Sequence, residues 1–439
     1  MRMAGRRWRF RAGSRCGVRA GARPATTNVH FPYTADMFER VETFASGTGE
    51  IRLVKADNVA AMRHFVETGE RPFDVVFADP PYAGGRPRGY EDARRGWIDQ
   101  YEPAFKLMRT LMAPTGVLIA CGADETLPML RQMLDGVFRV GNYLGTVVHL
   151  GQSGNRSRFL AATQEYLVIY ARNRRALVKA GARWRERKPG VDEMLAKARE
   201  IRARSRSLEE AEEAWALHVR ENYEWGDGLS RYSYLDDDGR PFRLGPLVSP
   251  GSAIHDYDIV HPVTGRPVKK PARGWRHPEA EMKRLIEAGE VRFGADENSV
   301  PSRILYLDEH ADMPPQAVFQ TTKGLGSLRL AELLGVKRTP FPYPKDPEVV
   351  ARWIRIVTEG RPDARVLDPF GGSGTTAEAV MTLNAADGGG RHCVLIQNGE
   401  SLDDQADAAG VAASGIRGPI FDVITVPRVR EVVRRAPRR

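Results

Sequence analysis

Short apolar runs that end abruptly on acids, prolines or glycines recur along this chain, and they predict the strands of a sheet. The clearest run covers residues 73–82, F-D-V-V-F-A-D-P-P-Y. Its β-branched valines are typical of a buried strand, and the prolines that follow cannot continue a hydrogen-bonded ladder. Asp79 is therefore expected at the carboxyl edge of a strand, where open α/β sheets bind their ligands. From these residues alone, a plain turn after a strand is an equal alternative.

A second run, near the other end of the chain, combines a strand, an acid and a glycine-rich bend. Residues 365–377 read R-V-L-D-P-F-G-G-S-G-T-T-A, and a helix is predicted to begin near Thr375. Glycines let the backbone approach a ligand closely, and a helix start offers free N–H groups. No lysine follows the glycines, which excludes a phosphate-binding P-loop. The looser dinucleotide-binding pattern, G-S-G-T-T-A, is a weak indication alone.

The remaining alternations and breaks predict further helices and strands, with a different texture in the middle of the chain. A basic helical pattern over residues 172–206 is followed by a polar, turn-rich stretch over 215–309, which predicts an inserted domain. The predicted strands cover residues 51–56, 117–121, 145–150, 166–170 and 393–397, and the predicted helices cover 101–111, 127–133, 375–384 and 426–435, with another helix that ends at 357.

Composition is that of an ordinary folded protein. The chain has 439 residues, of which 42% are apolar and 28% charged, so two or three domains with ample core are expected. No apolar run approaches the ~18 residues that span a bilayer. The three cysteines, Cys16, Cys121 and Cys393, are far apart in sequence and predict neither a disulfide framework nor a zinc site.

The net charge of +10 is concentrated in an amino-terminal arm. Residues 1–35 contain eight arginines and no acid, so the body is not globally basic and any nucleic-acid site must come from local clusters. This glycine- and arginine-rich composition is typical of disorder. Three interpretations stay open for the arm: an over-extended start, which we prefer, a tail that contacts DNA, and an organelle signal.

Taken together, the D-P-P-Y motif and the glycine-rich loop resemble those of the DNA amino-methyltransferases, which use S-adenosylmethionine. The catalytic motif precedes the cofactor loop with an insert between them, and this order resembles the β class. Stretches such as H-P-V-T-G-R and V-L-I-Q-N-G-E resemble the modification subunits of type III restriction systems. The departures are D-P-F-G-G-S-G in place of F-A-G-S-G, Gln164 in place of histidine, and a shorter chain, which puts a restriction partner in doubt.

The resemblance implies an α/β fold: a Rossmann-like S-adenosylmethionine-dependent methyltransferase fold in permuted order, with an inserted target-recognition domain. Four regions follow from it: a basic, disordered arm (1–44), a catalytic half (45–175), a helical linker with the target-recognition insert (176–330) and a cofactor-binding half (331–439).

The resemblance also assigns the site. Asp79, Pro80, Pro81 and Tyr82 are the implied catalytic residues, because Asp79 and the Pro80 carbonyl would accept from the amino group of a flipped base and Tyr82 would stack on it. The residues implied to bind the cofactor are Asp57, Phe341, Lys345, Asp368, Pro369, Phe370, Gly371, Gly372, Gly374, Thr375 and Glu400. Asp57 is equally well explained as a helix cap. No metal is expected.

Two stretches in which basic and aromatic residues interleave are predicted to contact DNA. They are Arg86, Arg88 and Tyr90 after D-P-P-Y, and Lys269, Lys270, Arg273, Trp275 and Arg276 in the insert. The alternative for the insert is an ordinary domain with a solvated surface.

The expected activity is methyl transfer to adenine N6 in duplex DNA, because aspartate at the first motif position is typical of the adenine enzymes of this class. No cysteine follows a proline, so the Pro-Cys nucleophile of cytosine C5-methyltransferases is missing. Cytosine N4 methylation and a catalytically silent DNA-specificity subunit remain the alternatives. The expected partners are double-stranded DNA, a second copy of the chain and a restriction subunit, in a prokaryotic cytoplasm at the nucleoid.

Overall fold

The computed structural model describes residues 38–81, 90–151, 164–224, 228–251, 255–321, 324–404 and 408–436. The strands are β1 (Arg40–Ser46), β2 (Gly49–Lys55), β3 (Phe73–Ala78), β4 (Met112–Gly122), β5 (Tyr143–Leu150), β6 (Gln164–Ala171), β7 (Glu186–Arg187), β8 (Tyr234–Leu235), β9 (Pro241–Pro246), β10 (Val291–Arg292), β11 (Ser302–Tyr306), β12 (Asp312–Met313), β13 (Val318–Gln320), β14 (Arg365–Asp368) and β15 (His392–Gln397).

The helices alternate with these strands in the first and last thirds of the chain and cluster in the middle. They are α1 (Asn58–Glu67), α2 (Tyr90–Leu111), α3 (Leu127–Phe138), α4 (Arg174–Lys179), α5 (Val191–Arg204), α6 (Leu208–Asn222), α7 (Glu279–Glu287), α8 (Leu325–Leu334), α9 (Pro347–Val357), α10 (Thr375–Asp387), α11 (Ala408–Ser414) and α12 (Val426–Arg435). Among the described helices, none has both the length and the apolar character needed to cross a bilayer.

A nine-stranded sheet organises the fold, in the order β1-β2-β15-β14-β3-β4-β6-β5-β13. Its centre is parallel from β2 through β15, β14 and β3 to β4, and β6 runs antiparallel beside β4. The catalytic-half strand β3 and the cofactor-half strand β14 are therefore direct neighbours. Their contact joins residues as far apart as Asp74 and Arg365, which are separated by 291 positions.

Helices cover both faces of this sheet, which explains why its central strands are near-continuous apolar runs. Alternate residues of one strand serve opposite layers: Val75 and Phe77 pack with α9, α10 and α12, whereas Val76 and Ala78 pack with α1, α2 and α3. The strand predicted over residues 117–121 begins earlier, because β4 starts at Met112. Residues 113–116, A-P-T-G, lie inside β4, where the register with β3 shifts.

The insert is a separate unit with two small cores of its own. A four-stranded antiparallel sheet, in the order β10-β11-β9-β8, is its β component. β7 and β12 pair antiparallel at the base of the insert, where the chain leaves the large sheet and returns to it.

The predicted domain boundaries need correction at three places. β1 begins at Arg40, so ordered structure starts before residue 45. Leu177 of α4 packs in the core of the large sheet, and β13 joins that sheet, so the insert runs between the β7 and β12 pair rather than over 176–330. Of the predicted arm, residues 1–37 lie outside the described residues.

Candidate active site

The two sequence motifs meet at the carboxyl edge of the parallel strands. Asp79 directly follows β3, and Asp368 is the last residue of β14. The two strands are in register, with Leu367 opposite Val76. Parallel neighbours end at the same edge, so the two acids face one cleft.

Asp79 belongs to a short chain of charges. The Lys345 ammonium nitrogen lies 3.4 Å from Asp79 Oδ1 and 3.2 Å from Glu165 Oε2. Lys345 precedes α9 and Glu165 lies in β6, so three distant segments supply the group. Two carboxylates and one ammonium leave the cluster with an excess of negative charge, which suits a cation that develops beside it.

The glycine-rich loop turns back sharply above the sheet. Gly372 and Gly374 have φ of +49° and +83°, the left-handed region that glycine adopts without strain. A Cβ at Gly371 would collide with the Leu395 side chain. The amide of Gly372 donates to Gln397 Oε1 at 2.7 Å, which ties the loop to the end of β15.

Asp368 is buried beneath this loop. Burial raises the pKa of its carboxyl to about 7, although a hydrogen bond from the Thr376 side chain opposes the shift. The Phe370 amide donates to Asp368 Oδ1 at 3.0 Å. An acid with a pKa near neutrality takes or loses its proton easily when a charged ligand arrives.

Aromatic rings connect the two motifs. Phe370 of the loop lies edge-on to Tyr101 with ring centroids 5.9 Å apart, and Tyr101 lies 4.9 Å from Trp97. The indole nitrogen of Trp97 donates to the Pro81 carbonyl at 3.1 Å. Helix α2 therefore fixes the D-P-P corner and the glycine-rich loop together.

The residues at this edge fit a nucleoside cofactor with a charged sulfonium. A side chain at position 372 would fill the space beside Phe341, since its Cβ would lie 3.3 Å from the ring's Cζ. Glu400, exposed after β15, suits ribose hydroxyls. Burial raises the pKa of Tyr101, and the negative charge of Glu400 raises it further, so Glu400 lies close to this edge.

Asp57 and Cys121 have structural roles near the site. Asp57 caps α1 by accepting from the Ala60 amide at 2.9 Å, as the helix-cap interpretation expects, and its cofactor role stays a prediction. Burial raises the pKa of the Cys121 thiol well above its usual value, with Asp79 adding to the effect. This thiol is therefore neutral and unsuited to act as a nucleophile.

Some predicted residues cannot be placed in the site. Tyr82, predicted as catalytic, and Arg86 and Arg88, predicted as DNA contacts, lie outside the described residues, and Tyr90 is described only as the start of α2. Lys269, Lys270, Arg273 and Arg276 are exposed on the insert, although the Lys270 ammonium bridges Asp256 and Asp258.

Trp275 is a correction. Its side chain is fully buried in a core of the insert, and its indole nitrogen donates to the Tyr257 carbonyl at 2.8 Å. The ring packs in the apolar core of the insert. It therefore stabilises the insert and is not accessible to DNA.

Sequence reasoning missed three residues that complete the site. Asn58 Nδ2 donates to the Pro369 carbonyl at 3.1 Å, Gln397 holds Gly372, and Glu165 shares the ammonium of Lys345. Asn58 begins α1 shortly after β2, and Gln397 ends β15, so a position near the end of a strand was the available signal for both. Gln164-Glu165-Tyr166 stands where the family commonly has His-Glu-Tyr, but no local pattern pairs Glu165 with Lys345, which is 180 positions away.

Two neighbouring parallel strands carry the site: one ends in a buried acid and a glycine-rich loop, and the other ends in an Asp-Pro-Pro corner. This arrangement defines a Rossmann-like methyltransferase fold. The comparison with protein families identifies the particular group. The chain belongs to the DNA methylase family, whose model matches residues 73–401.

Curated relatives extend this result. The type III restriction-modification enzyme EcoP15I Mod subunit of Escherichia coli is 26% identical over 389 residues, covering 81% of this chain and 60% of the relative. The chain therefore spans about three fifths of that subunit's length. The type II methyltransferase M.KpnI of Klebsiella pneumoniae is 22% identical, covering 85% of this chain and 86% of the relative. Among solved structures, PvuII DNA methyltransferase (cytosine-N4-specific) is 12% identical with a TM-score of 0.38, covering 81% of this chain and 86% of its own.

Proposed function

We propose that this chain is an S-adenosylmethionine-dependent DNA methyltransferase that modifies adenine N6 in duplex DNA. The observation that carries the proposal is the meeting of Asp79 and Asp368 at one sheet edge, on neighbouring strands from opposite ends of the chain. Family membership supports the class of reaction. The aspartate of D-P-P-Y supports adenine over cytosine.

The cofactor would lie over the glycine-rich loop, between Phe341 and Asp368, with Glu400 at its ribose. When bound, it supplies an electrophilic methyl group on a sulfonium. The adenine must leave the duplex to reach it, at a cost of a few kcal/mol. The predicted stacking on Tyr82 would offset roughly 1–3 kcal/mol of that.

Asp79 and the Pro80 carbonyl would orient the amine of the flipped base. Both accept hydrogen bonds, so they favour the pyramidal amine whose lone pair is free to attack. The amine would become cationic as it takes the methyl group and the cofactor leaves as a neutral thioether, and the carboxylates of Asp79 and Glu165 would stabilise that charge until the amine releases its extra proton. Lys345, 3.4 Å from Asp79, would hold the carboxylate in place.

Mass spectrometry of nucleosides tests the proposal. The nucleosides come from DNA that has been incubated with the purified protein and S-adenosylmethionine. N6-methyladenine is the expected product. N4-methylcytosine would overturn the base assignment and keep the chemistry. Cofactor binding without any modified base on varied duplexes would support the silent specificity subunit instead.

We also propose a restriction subunit as a partner, since several relatives are Mod subunits of type III restriction-modification enzymes. A homodimer is proposed as the assembly and is checked by light scattering of the purified protein. The proposed substrate would place the protein at the nucleoid in the cytoplasm.

Glu165→Gln is expected to slow methyl transfer about tenfold and to leave cofactor affinity unchanged. The substitution removes one negative charge near the developing cation, and a change of ~1.4 kcal/mol in the barrier is a factor of ten in rate. Single-turnover transfer of a labelled methyl group measures it. Glu193→Gln, at an exposed acid of the insert, is the matched control. An unchanged rate in Glu165→Gln would remove Glu165 from the site.

A further inference from the structure

The glycine-rich loop is held from its buried side by the carboxyl-terminal segment of the chain. A π-helical turn, Phe421–Thr425, leads directly into α12. The buried Thr425 hydroxyl donates to the Gly372 carbonyl at 2.6 Å. The Thr425 methyl group packs against the same loop, since a Cβ at Gly374 would lie 3.4 Å from it. π-helical turns within helices are rare and occur frequently at functional sites.

Arg428, one turn further along, makes a second set of contacts with the loop. Its fully buried guanidinium donates through Nη1 to Ser373 Oγ and to Thr375 Oγ1, each at 2.8 Å. Through Nε it donates to Glu378 Oε2 at 2.7 Å. Glu378 is buried as well and also accepts from Arg329 Nε at 2.8 Å.

These contacts continue toward the catalytic acid. The Thr375 hydroxyl donates to the backbone carbonyl of Lys345 at 3.4 Å. The Lys345 ammonium in turn lies 3.4 Å from Asp79. A path of hydrogen bonds and ion pairs thus leads from the buried Arg428 to the half-buried Asp79 at the carboxyl end of β3.

A buried ion pair is a poor source of net stability, because removing two charges from water costs about as much as their attraction returns. The pair of Arg428 and Glu378 therefore calls for another explanation than stability. Its geometry supplies one: the guanidinium fork fixes two hydroxyls of the loop at defined positions, which a flexible apolar contact would not do.

We propose that Thr425 and Arg428 are positioning residues that hold the glycine-rich loop in the conformation that receives the cofactor. The carboxyl-terminal segment then sets cofactor affinity without touching the cofactor. This inference rests on the proposed function, since it assumes that the loop binds S-adenosylmethionine.

Thr425→Val and Thr425→Ser separate positioning from packing. Valine keeps the shape of threonine and removes the hydroxyl, whereas serine keeps the hydroxyl. We expect Thr425→Val to weaken S-adenosylmethionine binding about tenfold, since a buried carbonyl loses its donor, and Thr425→Ser to stay near wild type. Calorimetry on the full chain gives the Kd, and steady-state kinetics should show a raised KM for the cofactor with kcat nearly unchanged.

Arg428→Lys provides a second, independent variant. Lysine keeps a charge for Glu378 but has a single nitrogen, so it cannot reproduce the separate contacts of Nε with Glu378 and of Nη1 with the two hydroxyls. Weaker cofactor binding is again expected. Arg434→Gln, at an exposed arginine of the same helix, is the matched control and should bind like wild type. Thermal unfolding without ligand gives the stability of each variant separately.

Four results would decide against the proposal or its basis. Equal Kd values for Thr425→Val and wild type would overturn the inference, as would a Thr425→Ser variant as weak as Thr425→Val. Lower unfolding temperatures with an unchanged Kd would show a structural role alone. Absence of cofactor binding by the wild-type chain would instead overturn the proposed function, so the two failures are distinguishable.

Discussion

Asp79→Ala is expected to lower the rate of methyl transfer about 10³-fold and to leave the Kd for S-adenosylmethionine within about threefold of wild type. Loss of one preorganised group that stabilises developing charge costs about 10²–10³ in kcat. In the proposed mechanism, Asp79 would accept a hydrogen bond from the amine and its charge would stabilise the methylated product, so both effects would fall on the chemical step. Single-turnover transfer on duplex DNA and calorimetry with the cofactor alone measure the two quantities.

The division of labour between the two acids explains why cofactor binding survives this substitution. Asp79 raises the pKa of Asp368, although less than burial does, so its removal leaves Asp368 more readily ionised. Asp124→Ala is the control, at an exposed acid just beyond the neighbouring strand β4. Loss of cofactor affinity in parallel with turnover would place Asp79 in the cofactor site instead.

Asp368→Asn is expected to weaken cofactor binding about 100-fold and, at the same time, to stabilise the free protein at pH 8. The first effect follows from the loss of a buried charge that faces a cationic ligand, a change that costs about 2–5 kcal/mol when the partner is left unpaired. The second effect follows from the cost of burying that charge when no ligand is present.

The pH dependence gives this prediction its sign. The pKa of Asp368 rises from 3.8 to about 7 on folding, so the folded protein binds the extra proton and its stability falls as pH rises from about 4 through 7. At pH 8 the wild type carries the buried charge and the asparagine variant does not. The variant should unfold a few degrees higher at pH 8, with little difference at pH 5, where Asp368 is neutral.

Thermal unfolding at both pH values, with and without S-adenosylmethionine, measures both effects in one experiment. Asp363→Asn, at an exposed acid in the turn before β14, should unfold like wild type at both pH values. A variant that is less stable than wild type at pH 8 would show that the Asp368 charge is compensated in the free protein.

The sequence predicted the parts of the site that local chemistry determines. An apolar run before two prolines predicted β3 and placed Asp79 at its end, and the strand-acid-glycine pattern predicted β14 and the start of α10. The family resemblance then placed both runs in one fold, although Asp74 and Arg365 are 291 positions apart in a chain of 439 residues. Both predictions agree with the register of β3 and β14.

What the sequence did not show depends on contacts between distant segments. Arg428 lies in a helix whose composition is that of a basic surface, yet its side chain is fully buried against Glu378. Trp275 lies among basic residues and was predicted to face DNA, yet it is buried. In both cases the neighbours that decide burial belong to other elements, so no pattern within the segment reports them. β13 has only three residues, too few for a periodicity.

β3 pairs with β14, although Asp74 and Arg365 in these strands are 291 positions apart. This separation determines when the site can assemble during synthesis of the chain. At ~5–20 residues per second, a ribosome needs roughly 15–60 s to synthesise that stretch. Until then the growing chain carries its base-binding corner on a sheet that lacks the two central strands, and β2 and β3 each expose an unpaired edge. The proposed methyl transfer can therefore begin only after β14 and β15 have been synthesised, and until then the edges of β2 and β3 are open to pairing with other chains.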